Sequence, residues 1–483
     1  GNVGLKEKYG GDFLFQYRTP DILYTFGLDY NKRNFPGSSI QDNRYYSGNS
    51  VSHFNYNGNT EWGRIGFGIR AGIEFNLTNK DNFNVVARYG TREGNRIGTQ
   101  NVNRLSNDTL ISSYANLNNM GRGGEFAGTN LTYTHKFEGK GHEIKGEFNF
   151  RYNDGDDSSL TESKNNGLIF DGKKTNEFGP SRELETKIDY TLPFSETRKF
   201  EAGYQNEIEN SDENNQLFEF NPMTARYEFK SLFSNSARYK NNDQALYAIY
   251  TDQFGDFGVQ GGLRSEYTFR TISLINQNKD FTIDRWDFFP TIHTSYKFSE
   301  GTQMMASYTR RIQRPRGGEL EPFYTWIDAN NVRTGNPDLL PQLIDSYESG
   351  IQTFIGEVSL SAEIYHRVTN NKVEHIRSVY NGENVNLDSV ANIGKDFSTG
   401  AELMLIFDPV EFWNVNLMAN LYDYRIEGIL YDEPFSRKSF NWNSRINNMF
   451  KVSPNTQVQV NMNYNSPTVS SQGRWEASYS ADV

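Results

Sequence analysis

The 483-residue chain has no cysteine and no apolar run approaching the length of a membrane helix. The first absence excludes disulfides, thiolate metal sites and thiol chemistry. The second excludes a helical membrane protein. Crossing a bilayer takes about 20 consecutive apolar residues, and the richest run here is Leu403–Phe407. Positive charge is in deficit too, with 49 Lys and Arg against 60 Asp and Glu, a formal net charge of -11. A nucleic-acid footprint is basic, so nucleic acid is not expected as a partner. The opening GNVGLKEKYGG holds no apolar leader, so the chain reads as mature, truncated or both.

Signatures of catalysis are equally scarce. The six histidines, His53, His135, His142, His293, His366 and His375, fall in no metal-ligand spacing. No G-x-S-x-G elbow and no phosphate-binding loop occurs. The acidic run Asn153–Asp157 lacks the spaced ligands of a calcium loop and reads as a solvated loop. No enzyme, no metal site and no cofactor is expected.

Aromatic residues, by contrast, make up 14% of the chain, with 29 Tyr and 35 Phe. That is too many for a disordered segment. They sit in stretches of period two. Ile65, Phe67, Ile69, Ala71, Ile73, Phe75 and Leu77 alternate with Arg64, Gly66, Gly68, Arg70, Gly72, Glu74 and Asn76. The same alternation runs through 143–152, 358–364 and 457–464. Period two is the signature of a strand with one oily face and one wet face. Short connections at 18–21, 77–82, 137–142, 192–199, 252–257, 298–302, 354–357, 407–411 and 450–456 separate such strands. They recur at roughly 45 to 60 residues, a repeat period with architectural meaning. Between them lie long polar stretches, 31–62, 92–125, 153–182, 209–241, 270–284, 311–343, 368–396 and 427–436, expected to be loops.

Short turns on one side and long loops on the other are the asymmetry of an outer-membrane barrel. The expected fold is therefore all-β: a large antiparallel transmembrane β-barrel with about nineteen strands visible. The barrel domain is expected to span 1–483 and to be incomplete at both ends. The charged alternate positions then face the lumen, because Arg or Lys facing lipid at midplane costs about 2–4 kcal/mol. These lumen-wall residues include Arg64, Arg70, Glu74, Arg88, Lys145, Glu147 and Arg151, with Glu201, Glu207, Arg285, Asp287, Lys297 and Glu363. Phe137, Phe298, Phe354, Phe407 and Phe450, with Trp62, Trp286, Trp413 and Trp442, are candidates for interfacial girdles.

The stretch Tyr308–Gly350 carries Tyr308, Arg310, Arg311, Ile312, Arg314 and Pro315 (YTRRIQRP), then Leu320, Pro322, Phe323, Ile327 and Asp328. It continues through Gly335, Asn336, Pro337, Leu339 and Pro341 (GNPDLLP) to Ser346, Tyr347, Glu348 and Gly350 (SYESG). This block resembles the outer-membrane β-barrel family related to TonB-dependent receptors, in the version abundant in Bacteroidota. It departs at Leu340, Gln342 and Ser349, where that family usually has Lys, an acidic residue and Leu. The resemblance implies a barrel of about 22 strands when complete. It also implies an N-terminal plug domain preceded by a TonB box; neither is in the sequence. Its implied function is uptake of a large nutrient, an iron chelate, cobalamin, a glycan or a peptide.

In the same block Arg310, Arg311, Arg314, Arg316, Phe323, Tyr324, Trp326 and Asn336 are candidates for contact with substrate or plug. Arginines suit anionic groups, and the aromatic rings suit a sugar or chelate ring. Local pairing with Glu319 and Glu321 is the simpler account of the basic cluster. The expected location is a bacterial outer membrane, long loops extracellular and short turns periplasmic. Expected partners are membrane lipid and lipopolysaccharide, TonB through an absent plug, and a surface lipoprotein or larger outer-membrane complex. Two other functions fit the same sequence: a scaffold barrel in an assembly or secretion complex, and a passive porin.

Overall fold

The computed structural model describes residues 2–4, 7–47, 50–328, 331–380 and 385–482. Strands β1 (Asn2–Gly4) and β2 (Lys8–Arg18) come first. β3 (Ile22–Ser47), β4 (Ser50–Asn76), β5 (Asp81–Ser106), β6 (Thr109–Lys136), β7 (Glu143–Asn165) and β8 (Leu168–Pro193) follow as long hairpin arms. Next are β9 (Lys199–Asn221), the short β10 (Arg226–Phe229), β11 (Asn235–Phe254), β12 (Phe257–Leu274), β13 (Lys279–Ser299) and β14 (Thr302–Gln313). A small hairpin, β15 (Thr325–Asp328) and β16 (Asn331–Arg333), precedes β17 (Gln342–Ile355), β18 (Val358–Val379) and β19 (Asn386–Val410). The chain ends with β20 (Trp413–Leu430), β21 (Glu433–Ser453), β22 (Thr456–Asn465), β23 (Thr468–Val469), β24 (Arg474–Trp475) and β25 (Ser478–Asp482).

Nineteen of these, β2–β9, β11–β14, β17–β22 and β25, form one continuous antiparallel wall in chain order. Among the described residues β25 pairs with β22 alone. All nine expected short connections are present, from residues 19–21 after β2 to residues 454–455 after β21.

The expected long loops are a correction. Most of 31–62, 92–125, 153–182 and 209–221 is strand, continuous with the arms below it. β4 runs for 27 residues and β6 for 28. About 9–11 tilted residues suffice to cross a bilayer, so more than half of each arm projects beyond it. Both faces of that part are in water, so its side chains are mainly polar and the regular amphipathic alternation is lost, with Phe54, Tyr56 and Val102 gathered into a small cluster of their own. The ladder still satisfies every backbone group, and the strand persists. The run Asn153–Asp157 lies inside β7, and Asp157 there accepts two bonds from Arg122 Nε and one from Nη2. The hairpin tips are two-residue turns with both residues at positive φ: Asn107–Asp108, Asn166–Gly167 and Tyr431–Asp432. Asn, Asp and Gly accept that conformation readily, and its twist matches the strands. Within 368–396, residues 381–384 lie outside the described residues.

Register fixes the two faces. Ile69 stands opposite Leu28 and Tyr89, and Arg70 opposite Gly27 and Arg88. The apolar rows are solvent-accessible in the isolated chain: Phe26, Phe67, Ile69, Phe148, Phe150, Leu263, Phe288 and Ile364 are all exposed. So wide an oily surface on a folded wall is explained by lipid against it. Trp286, Trp413 and Trp442 lie on this outer face, with Trp442 stacked on Tyr464 at 4.4 Å. Trp62 is a second correction. Its register places it inside, opposite Phe35, with the Arg64 guanidinium 3.8 Å above its ring.

Candidate functional site

Among the described residues the longest break between neighbouring strands of the wall is 314–341, between β14 and β17. Proline at 315, 322, 337 and 341 and the Gly317–Gly318 pair keep this segment from continuing the ladder. It folds back over the inner face of the wall. At its start Arg314 Nη2 donates to Glu266 and to Thr268 Oγ1 at 3.0 Å, and Arg270 Nη1 donates to Pro315 O at 3.3 Å. In its middle Asn215 Nδ2 donates to Thr325 Oγ1 at 2.9 Å, and Arg333 pairs with Glu177 at 3.3 Å. At its end Leu340 N donates to Asn392 Oδ1 at 2.8 Å, and Asn371 Nδ2 donates to Pro341 O at 3.2 Å. β16 also adds to β19 as a parallel strand. The segment thus bridges β8, β9 and β12 on one side and β18 and β19 on the other.

Two apolar clusters seat it. Leu320, Phe323 and Leu339 pack with Ala237, Tyr239, Ile272, Leu274 and Val390. Trp326 and Val332 pack with Leu217, Tyr380 and Val385, and Lys173 Nζ lies 4.3 Å from the Trp326 ring. Gly335 makes the return possible. Its N–H donates to Glu321 O at 2.7 Å, and a Cβ there would lie 2.5 Å from Glu321 N and 2.6 Å from Glu319 O. Backbone atoms cannot yield as a side chain can. Gly335→Val is expected to weaken docking of the segment by roughly 1–3 kcal/mol, the usual range for overpacking. The check is faster proteolytic cleavage within 314–341 while the barrel itself stays intact.

Each candidate residue now has a place. Arg310 is turned to the outer face, where Nε and Nη2 grip Asp345 at 2.7 and 3.0 Å. Arg311 takes the inner face and is exposed. Arg314 is the docking residue above, and the Arg316 backbone N–H donates to Glu319 Oε2 at 2.7 Å. Phe323 and Trp326 are buried in the seat, whereas Tyr324 is exposed, edge-on to Tyr380 at 5.2 Å. Asn336 shapes a turn: its N–H donates to Glu319 O at 2.7 Å, and its Oδ1 accepts from Asp338 N at 3.0 Å. Gln342 is buried, and its Oε1 accepts from Val373 N at 3.1 Å.

Register sets Arg64, Arg70, Glu74, Arg88, Lys145, Glu147 and Arg151 on the inner face. From β7 onward several basic groups there pair with carboxylates: Lys145 with Glu147, Arg151 with Glu183 at 2.6 Å, Lys187 with Asp189 at 2.9 Å, and Arg285 with Asp287. Near the last strands Asn414, Asn416, Asn447, Asn461, Asn463 and Arg445 line an inner groove of about 450 Å³.

The group that sequence could not reveal is a cluster of carboxyls under the segment. Glu321, buried, meets Glu213 of β9, with Glu177, Arg333 and the Tyr239 ring around them. Enclosure beneath the segment, then the hydrogen bond shared with Glu321, raises the Glu213 pKa. Enclosure also raises that of Glu177, against the opposing pull of Arg333. Glu213 lies 14 residues above the short-turn end of β9, beyond the bilayer. A carboxyl whose pKa is raised by docking favours the docked state when protonated. Docking is therefore strongest at acidic pH and weakens as pH climbs above the ordinary carboxyl value of 4.5. Hydrogen exchange of residues 320–335 should quicken from pH 5 to pH 8 beyond the intrinsic rate, and Glu213→Gln should flatten that dependence.

The comparisons agree with this architecture. The model of the outer membrane protein beta-barrel family matches residues 135–483. The chain belongs to that family and is an outer-membrane β-barrel protein. Among solved structures it is similar to the copper transporter OprC, with a TM-score of 0.62 and 10% identity over 98% of this chain and 71% of that one. It is also similar to the siderophore receptor PiuA from Acinetobacter baumannii, with a TM-score of 0.60 and 11% identity over 99% and 75%. The unliganded ferric citrate transporter FecA gives 0.58 and 12% over 98% and 69%. At these identities the likeness concerns the fold. Among curated proteins none matches.

Proposed function

We propose that this barrel is a receptor that takes up a large nutrient across the outer membrane, driven through TonB by way of a plug domain. The observation that carries the reading is the docked 314–341 segment. It narrows the lumen at its hairpin end, as a selective receptor requires and an open porin does not. The neighbouring folds support it, since those proteins are a copper transporter, a siderophore receptor and a ferric citrate transporter. Iron chelates, glycans and peptides are the nutrient classes to test. A strain lacking the gene should lose accumulation of one labelled nutrient, and collapse of the proton-motive force should abolish the same accumulation in the parent. Nutrient entry that persists without energy, together with large single-channel conductance of the purified protein, would instead make it a passive pore.

A further inference from the structure

On the outer face, away from the lumen, amides break the oily rows across β8, β9, β11 and β12. Each of these strands has both of its neighbours in the wall. The outward residues of β9 run Phe200, Ala202, Tyr204, Asn206, Ile208 and Asn210, so the Asn206 amide has apolar neighbours above and below it. Register sets Asn206 beside Gln244 of β11 on one side and Thr186 of β8 on the other. The next outward row toward the hairpin end is Leu184, Ile208, Asn242 and Phe269. Strands β3, β4 and β5 present Phe26, Leu28, Ile69, Ala71, Val85 and Ala87 to the lipid at comparable height, with no amide among them.

Within the chain these amides are half satisfied. Asn206 Nδ2 donates to Asn242 Oδ1 at 2.7 Å and to Asp243 O at 3.4 Å, and Tyr204 Oη donates to Gln244 Oε1 at 3.5 Å. That leaves Asn206 Oδ1, Asn242 Nδ2 and Gln244 Nε2 facing the membrane, one acceptor and two donors. Hydrocarbon cannot pair them, and an unpaired polar group there is costly. Above them, at the edge of the belt, stand Arg182, Asn210 and Lys240. Arg182 and Lys240 are exposed, and among the described residues neither pairs with a carboxylate. The nearby acids are engaged elsewhere: Asp212 with Arg238 at 2.6 Å, and Asp154 with Tyr152 Oη at 3.2 Å. Two residues of a tilted strand descend about 5 Å, so Asn242 lies about 5 Å and Asn206 and Gln244 about 10 Å beneath the cations. Deeper still, Ile188, Leu246 and Leu263 are exposed and apolar.

We propose that the outer face of β8, β9, β11 and β12 seats one molecule of lipopolysaccharide by its lipid anchor, a phosphorylated sugar carrying amide-linked, hydroxylated acyl chains. The side chains follow that chemistry from the surface inward. Phosphate meets Arg182 and Lys240, whose guanidinium and ammonium groups suit it. The amide and hydroxyl groups that join sugar to chains meet Asn242, Asn206 and Gln244. The acyl chains lie on Ile188, Leu246 and Leu263. The leaflet agrees, since the cations stand at the hairpin end of the wall, which faces outside. A glycerophospholipid brings phosphate and ester acceptors to that depth but no donor for Asn206 Oδ1. The site does not depend on the receptor reading.

The test is native mass spectrometry of the full-length protein, purified from outer membranes, cleared of bound lipid by detergent exchange and then given defined lipids. Diphosphoryl lipid A and phosphatidylglycerol are the two probes. One lipid A is expected to stay bound at collision energies that remove phosphatidylglycerol. Asn206→Leu combined with Gln244→Leu should weaken lipid A binding roughly tenfold, the expectation for two lost hydrogen bonds, and leave phosphatidylglycerol binding unchanged. Asn206→Leu alone serves if the pair does not assemble. R182Q combined with K240Q should weaken binding of both lipids. Lys438→Gln, at an exposed cation on the outer face of β21, should change neither. Equal retention of the two lipids by the wild-type protein overturns the proposal, as does unchanged lipid A binding in the assembled leucine variant. So does a wild-type mass of two chains that falls to one in that variant, which would assign the amides to contact between copies.

Discussion

Truncating Trp326 to alanine frees the 314–341 segment from the wall. The indole sits between Leu217 of β9 and Tyr380 and Val385 next to β18 and β19, so it joins the two sides that the segment spans. It is 8% exposed. Removing a buried tryptophan costs about 3–5 kcal/mol, as transfer energy and as a cavity that neighbours fill only partly. The loss also removes the Lys173 contact and leaves Lys173, itself 9% exposed, without its aromatic partner. The barrel ladder is untouched, because the segment adds only β15 and the parallel pairing of β16 to it. Proteolysis of the detergent-solubilised protein should therefore cut Trp326→Ala within 314–341, leaving two barrel fragments that stay associated until heated. Tyr324→Ala, at an exposed ring, should cut at nearly the wild-type rate.

The second large effect concerns the faces. Ile69 lies seven residues from the short-turn end of β4, near the middle of the bilayer, and points outward. Ile69→Arg places a guanidinium in lipid, at about 2–4 kcal/mol. Asn84→Arg, on the inner face opposite Glu74, places the same group in the lumen beside a carboxylate. Urea titration in lipid vesicles should show a clear loss of stability for the first and little change for the second.

The sequence made the wall legible where one face meets lipid and the other water. Arg64–Leu77 alternates without a break, and its short turn at 77–80 is where it was expected. Beyond the bilayer both faces are wet, so 92–125 carries no alternation and reads as loop although it is ladder nearly to its tip. Local signals of those hairpins were present: Asn107–Asp108 and Asn166–Gly167 are two-residue turn pairs. The candidate site was half legible. The motif block marked the segment that folds inward, but its side chains divide by parity. Arg310 and Arg311 are adjacent and take opposite faces, which a cluster read from sequence merges. The Glu213–Glu321 contact joins residues more than a hundred positions apart, and nothing local to either announces it. Trp62 was misplaced because the polar run before it reads as loop and sets it at an apparent strand end, whereas it lies in the middle of β4 on the inward parity.

One measurement tests the central claim, that this chain is a membrane barrel with the assigned inner and outer faces. These 483 residues include no cysteine, so single cysteines can be introduced into them without background from the barrel. Residues 65–75 of β4 would be replaced one at a time and labelled in lipid vesicles with a charged maleimide and with a lipid-soluble one. The account predicts strict period two. Even positions, Arg70→Cys and Glu74→Cys among them, react with the charged reagent. Odd positions, such as Ile69→Cys and Ile73→Cys, react only with the lipid-soluble one. Equal aqueous reactivity at odd and even positions, or the opposite phase, would contradict it.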